Sequence, residues 1–186
     1  MDEVINFIKD FEGIFGAILG SATTLIITDI LRKKGKLKFY LMNYNGEYWY
    51  ESKEKYYGPT KDKNNGQDIE SYRFKFTLDI YNTSELPKIM RDLKIKVYKN
   101  KNLLTSIPVN DEGTRRVVSR CITVDQTTVF NFNGKETANI ILSAEIPKEF
   151  ANQLNNNNIV LKLNYKNEKG NNKYFKIYKG NIEENK

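Results

Sequence analysis

Three arginines, Arg115, Arg116 and Arg120, flank a strand-like run that contains the single cysteine, Cys121. A planar guanidinium fork holds its donors at fixed angles and suits a phosphate or a carboxylate. On an extended chain Arg116 and Arg120 share a face and Arg115 points the other way. One reading of the trio is therefore a contact for an anion or a partner. The other is a strand edge kept solvated by its charge. Other chemistry finds few residues to work with. The chain has no His, which removes the commonest metal ligand and the commonest general base. Gly35-Lys36 and Gly134-Lys135 continue with Leu and Glu where a phosphate loop needs Ser or Thr. There is no G-x-S-x-G elbow and no Cys–His pair. Adjacent carboxylates could act in an enzyme without His, but Asp111-Glu112 and Glu183-Glu184 fall in a turn and in a tail, where solvated surface is their ordinary role. These residues imply no catalytic centre, no metal site and no cofactor.

The elements that carry these residues differ along the chain. With 186 residues, 39% apolar and 12% aromatic, there is material for one ordinary domain and an anchor. One Cys excludes an internal disulfide framework and suits a reducing compartment. The net charge of +7 is unevenly placed. Residues 1–31 carry five acids (Asp2, Glu3, Asp10, Glu12 and Asp29) against Lys9, so all the excess positive charge lies downstream. Arg32, Lys33, Lys34, Lys36 and Lys38 follow an apolar run directly, as a stop on the cytoplasmic side of a membrane would. A basic balance also attracts nucleic acid, but scattered lysines in a Lys/Asn/Ile/Tyr-rich chain reflect composition, and nucleic-acid binding is set aside.

The apolar run, Ile14 to Leu31, would span about 27 Å as a helix, close to a bilayer core. Ser21, Thr23, Thr24, Thr28 and Asp29 dilute it. Asp29 lies near the end, where it can reach the interface or pair with Arg32 or Lys33. A cleaved signal peptide would need a positive segment before the run and a small-x-small site after it, and neither is present. Acids before and bases after place the N-terminus outside and the remainder in the cytosol. A soluble amphipathic or coiled-coil helix is the competing reading. Val4, Ile8, Phe11, Phe15, Ile18, Ala22 and Leu25 recur at steps of four and three, a seam that continues onto Asp29. Gly16 and Gly20 form GxxxG beside Ser21, which would let two such helices approach closely.

Past Gly35 the periodicity changes to two. Tyr72, Phe74, Phe76, Leu78 and Ile80 alternate with Arg73, Lys75, Thr77 and Asp79, and the same pattern recurs over Leu93–Val97, Val160–Tyr165 and Tyr174–Tyr178. Further strands are expected at Leu37–Met42, Glu47–Glu51, Leu103–Ile107, Val117–Val124, Val129–Asn131 and Ala138–Ile146. Asn45-Gly46 should turn between the first two of these, and Lys169-Gly170-Asn171-Asn172 between the last two of the chain. A polar loop over 52–68 should project, and a short helical turn should follow Pro147 near Lys148–Leu154. In Tyr48-Trp49-Tyr50 alternate residues should enter the core, either the two tyrosines or the tryptophan. An alternative is an aromatic surface shared with Tyr56-Tyr57. Eight to ten short strands without intervening helices make an all-β antiparallel sandwich. The expected plan is a helix with a basic stop over 1–35, a sandwich over 36–182 and a charged tail over 183–186.

The stretch Leu78–Val97, strand, Asn-Thr-Ser turn, Pro and strand, resembles a unit of immunoglobulin-like domains. Together with the anchor and the Arg-Lys-Lys-Gly-Lys-Leu-Lys that follows it, the chain looks like uncharacterised membrane-anchored β-sandwich proteins of low-GC Gram-positive bacteria and their mobile elements. That resemblance implies no catalytic residues. Asn82-Thr83-Ser84 also matches a glycosylation acceptor, but turn formation is the expected role. The functional expectation is a non-enzymatic, single-pass, membrane-tethered module. Its partners would be the lipid bilayer, an unknown protein and, through Gly16, Gly20 and Ser21, further copies of itself. Two alternatives stand beside it: an oligomerising effector that perturbs the bilayer when its sandwich senses a ligand, and a soluble sandwich assembled through its helix.

Overall fold

A computed structural model describes residues 11–52, 58–61, 67–119, 121–155 and 157–182. One long helix, α1 (Glu12–Lys33), precedes ten strands in two antiparallel sheets. In chain order these are β1 (Leu37–Tyr50), β2 (Ile69–Asn82), β3 (Lys88–Lys99), β4 (Asn102–Pro108), β5 (Asn110–Val118), β6 (Cys121–Gln126), β7 (Val129–Phe132), β8 (Thr137–Pro147), β9 (Asn158–Lys166) and β10 (Asn172–Asn181). A single helical turn, α2 (Lys148–Ala151), follows Pro147 and buries Ala151. One sheet runs β1-β2-β8-β5-β6 and the other β10-β9-β3-β4, with β7 paired to the first residues of β3.

The alternation read along β2 is the core. Tyr72, Phe74, Phe76, Leu78 and Ile80 are all buried, and they face Leu93, Ile95, Val97, Ile159, Leu161 and Leu163 within one continuous apolar cluster. Strand β3 shows how the chain keeps this pattern across a parity change. Met90 and Leu93 both point inward although three residues apart, which a regular strand forbids. An irregularity in the pairing between Arg91 and Lys94 supplies the missing residue, with Asp92 at φ 54°. There the Asp92 amide donates to the Thr128 carbonyl and its carboxylate pairs with Lys166 at 2.8 Å.

Two expectations are corrected. Leu37–Met42 and Glu47–Glu51 are one strand, and Asn45-Gly46 lies in its middle, paired with Lys75 and Phe74 of β2. Gly46 serves close packing instead of a turn. A Cβ there would lie 2.1 Å from the Tyr72 hydroxyl and 2.9 Å from that of Tyr44, and these two hydroxyls are hydrogen-bonded at 3.0 Å. Conversely, Val117–Val124 is not one strand. It is the turn of the β5–β6 hairpin, where Val117 pairs with Ile122 and Val118 with Cys121. Ser119, at φ 48°, opens that turn, and a β-branched run without Gly or Asn gives no local sign of it.

The remaining turns follow their chemistry. Gly170 sits at φ 77°, and the Asn167 side chain accepts from the amides of Lys169 and Asn171. Of the loop over 52–68, Thr60 exchanges two backbone hydrogen bonds with Tyr50. Residues 53–57 and 62–66, including Tyr56-Tyr57 and the expected projecting tip, lie outside the described residues.

Candidate functional site

Helix α1 is joined to the sandwich through a network built on Asn82-Thr83-Ser84. Asn82 is fully buried, its amide donating to the carbonyls of Leu86, Phe132 and Asn133 while its carbonyl oxygen accepts from the Ser84 amide. The side chain thus ties three segments together. Its burial makes turn formation the role of this sequence and leaves no accessible acceptor for a glycan. Thr83 holds the start of β1, accepting from the Lys36 amide at 2.8 Å and donating to the Lys36 carbonyl at 3.0 Å. The Ser84 hydroxyl donates to the Arg32 carbonyl, the Glu85 amide donates to the same carbonyl, and the Glu85 carboxylate lies 3.5 Å from the Arg32 guanidinium. Carbonyls at a helix end have no partner within the helix, so these bonds cap α1 with the domain itself.

Two glycines allow this close approach. Gly35 adopts φ 141°, and a Cβ on it would fall 2.5 Å from the Ser84 amide nitrogen. At Gly134 a Cβ would fall 1.8 Å from the Glu85 carbonyl oxygen. Neither position accepts a side chain without the backbone moving.

Beside this junction opens a cleft of about 750 Å³, walled by the end of α1, the start of β1, Leu86–Lys88 and the β9–β10 turn. Six lysines line it, and Glu168 is the single carboxylate among them. Lys88 holds Glu168 at 2.8 Å. Burial by itself would raise the Glu168 carboxyl, but the hydrogen bond from Lys88 and the loop backbone bring it below the usual range. Lys33 is taken by Asp29, one turn earlier on α1. Among the described residues no carboxylate lies within ion-pair distance of Lys34, Lys36, Lys169 or Lys173. Tyr165 closes the floor, and burial followed by the nearby Glu168 charge pushes its hydroxyl up to about 12, so it stays a donor. Sequence reading finds Arg32, Lys33, Lys34 and Lys36 as one basic run. That Lys88, Lys169 and Lys173 join them has no local signal, because the three come from different strands and turns.

The arginines on β5 are not gathered into one site. Arg115 pairs with Glu112 at 2.9 Å and Arg116 with Asp125 at 2.8 Å, while Arg120 lies outside the described residues. Glu112, almost buried, also accepts from Ser143 at 2.6 Å. Asp111 accepts from the Gly113 amide where the β5–β6 pairing shifts register between Asp111 and Arg116. The adjacent acids Asp111 and Glu112 thus serve structure, and Glu183-Glu184 lies outside the described residues. Of the aromatic run, Tyr48 and Tyr50 are buried, and Trp49 lies on the outer side with the Arg73 guanidinium 4.2 Å from its ring centre.

On α1, a Cβ added at Gly16 or Gly20 meets nothing within 4 Å. Ser21 donates to the Ile18 carbonyl and Thr24 to the Gly20 carbonyl, so both hydroxyls are satisfied inside the helix. The stretch Gly13–Lys33 is long and apolar enough to cross a membrane, and none of it is buried against the sandwich.

The family described as the YopI Ig-like domain matches residues 35–178. A protein of Bacillus subtilis (strain 168), the SPbeta prophage-derived uncharacterized protein YopI, is 36% identical over 118 residues. That match takes in 61% of this chain and 63% of the relative, so the chain spans less than two thirds of the relative's length. An uncharacterized beta-sandwich protein from Clostridium difficile 630 is similar at 17% identity, covering 77% of this chain and 86% of that one with a TM-score of 0.38. Spo0M, a sporulation control protein from Bacillus subtilis, is similar at 9% identity, covering 81% and 50% with a TM-score of 0.38. Neither structural likeness carries an argument about this chain.

Proposed function

The chain belongs to the YopI Ig-like domain family, and on that premise we propose that it is a non-enzymatic module tethered to a membrane by α1, its sandwich held in the cytosol to meet a protein partner. The observation that carries this reading is the helix surface. Ile14, Phe15, Ile18, Leu19, Leu25, Ile26, Ile27, Ile30 and Leu31 are each more than half exposed. Apolar side chains on all sides of one helix need an apolar solvent, and lipid provides it. The polar residues support the same reading: Ser21 and Thr24 bond their own helix, and Asp29 is paired with Lys33. The order of charge, acids before α1 and Arg32, Lys33, Lys34 and Lys36 after it, supports a cytosolic sandwich. Arg115 and Arg116, on β5, together with Arg120 are proposed as a contact for an anion or a partner, which would have to displace Glu112 and Asp125 from the first two.

Fractionation of the full chain tests the tether: it should sediment with membranes and dissolve only in detergent, and release by salt or alkali would overturn the span. The single cysteine then reads the topology, because Cys121 is exposed on the sandwich. A membrane-impermeant maleimide should label it in lysed cells and not in intact ones. The open surface at Gly16 and Gly20 favours a second reading, in which helices assemble and perturb the bilayer. Loss of membrane potential on expression, abolished by Gly16→Leu with Gly20→Leu, would establish that reading.

A further inference from the structure

We propose that the cleft between the end of α1 and the β9–β10 turn binds a phosphate group, that of an anionic phospholipid headgroup, through Lys34, Lys36, Lys169 and Lys173. The inference rests on reading α1 as a membrane span.

Position is the first argument. At 1.5 Å per residue, Gly13–Lys33 covers about 32 Å, the depth of a hydrocarbon core, so the residues directly after Lys33 lie among headgroups. The cleft begins there, at Lys34 and Lys36. Attachment is the second. The bonds from Arg32 and Lys36 to Thr83, Ser84 and Glu85 fix the sandwich against the helix end, so the cleft cannot swing away from the bilayer surface.

Charge is the third. Glu168, the carboxylate in the lining, is already held by Lys88, and the acids beside the helix end, Asp29 and Glu85, are held by Lys33 and Arg32. The other four lysines reach one concavity from the α1–β1 link, the β9–β10 turn and β10. Like charges gathered in a recess repel one another unless an anion enters, and a recess focuses their field on what does enter. Helix C-termini ordinarily disfavour anions. Here the Ile30 and Leu31 carbonyls accept from the Lys34 amide and the Arg32 carbonyl accepts from Ser84 and Glu85, which mutes that repulsion. A volume of about 750 Å³ admits a phosphodiester with its glycerol.

The test uses the full chain in lipid nanodiscs of phosphatidylcholine, alone or with phosphatidylglycerol. A water-soluble acylating reagent and peptide mass spectrometry report the reactivity of each lysine. Phosphatidylglycerol should slow acylation of Lys34, Lys36, Lys169 and Lys173 by about fivefold, with no change at the exposed Lys179 toward the far end of β10. Lys169→Glu with Lys173→Glu should abolish protection of Lys34 and Lys36 while the chain stays in the disc. Equal rates in both discs, with the chain embedded, overturn the inference and leave the anchor intact. Protection by free glycerol phosphate in phosphatidylcholine discs, without protection by phosphatidylglycerol, overturns the lipid source. A chain that never elutes with the discs overturns the inference and the anchor together.

Discussion

Strand β2 and helix α1 are both rich in large apolar side chains, yet they meet opposite fates. In β2 every second residue from Tyr72 to Ile80 is sealed in the core, whereas in α1 no residue of Gly13–Lys33 is buried. The difference lies in periodicity. A two-residue repeat puts all apolar side chains on one face, which a second sheet can cover. In α1 the apolar residues surround the axis, so one neighbouring face could never cover them. An apolar run closes on its own chain only when its period matches a partner surface. Otherwise it depends on a medium outside the chain.

The largest effect that could break this contrast is in the core. Phe76→Ala should cost about 3–5 kcal/mol of unfolding free energy, while Leu19→Ala on α1 should move the stability of the sandwich by less than about 0.5 kcal/mol. Urea unfolding in detergent, followed by Trp49 fluorescence, measures both. A comparable loss from Leu19→Ala would show that α1 packs on the sandwich. At the seam between the two regions, Asn82→Ala should cost about 2–3 kcal/mol, because it leaves the carbonyls of Leu86, Phe132 and Asn133 without their donor. Asn82→Asp should not rescue it, since a carboxylate cannot donate to them.

Gly35→Ala should cost about 1–3 kcal/mol through its φ of 141° and its contact with Ser84. Hydrogen exchange would speed at the Ser84 hydrogen-bond network and not in β9. A change confined to α1 would mean the joint yields without straining the sandwich.

The smallest expected effect is a pH limb. Burial, then the charge and hydrogen bond of Tyr72, raise the Tyr44 hydroxyl well above its usual value of 10, and burial raises Tyr72 to about 12 despite the opposing hydrogen bond from Tyr44. Both folded-state values exceed the unfolded ones. Their contribution is therefore complete below about pH 10 and is lost as pH rises from there toward the folded values. Tyr44→Phe should flatten this alkaline limb, and an unchanged alkaline midpoint would remove the pair from the account.

Much of the fold was legible because the deciding forces are local. Alternation located β2, β3, β9 and β10, and Gly170 marked its turn by a conformation that glycine adopts without cost. Two signals misled for one reason. Asn45-Gly46 and Val117–Val124 were judged from near neighbours, but the first is held straight by pairing along β2 and the second is folded back on itself by pairing with β6. The expected site was legible only in part. Arg115 and Arg116 were identifiable as cations, but Glu112 and Asp125, which neutralise them, lie three and nine residues away.

By itself the sequence determined that one segment is long and largely apolar, that bases follow it, and that the rest alternates with a period of two. Hydropathy and charge are properties of residues, and periodicity is a property of near neighbours, so neither needs a folded chain. Only the tertiary structure decided that Asn82 anchors the helix joint and that Lys34 and Lys36 share a cleft with Lys169 and Lys173. The two lysine pairs are more than a hundred positions apart, and Asn82 lies fifty from Phe132, so only strand pairing across the sandwich brings either set together.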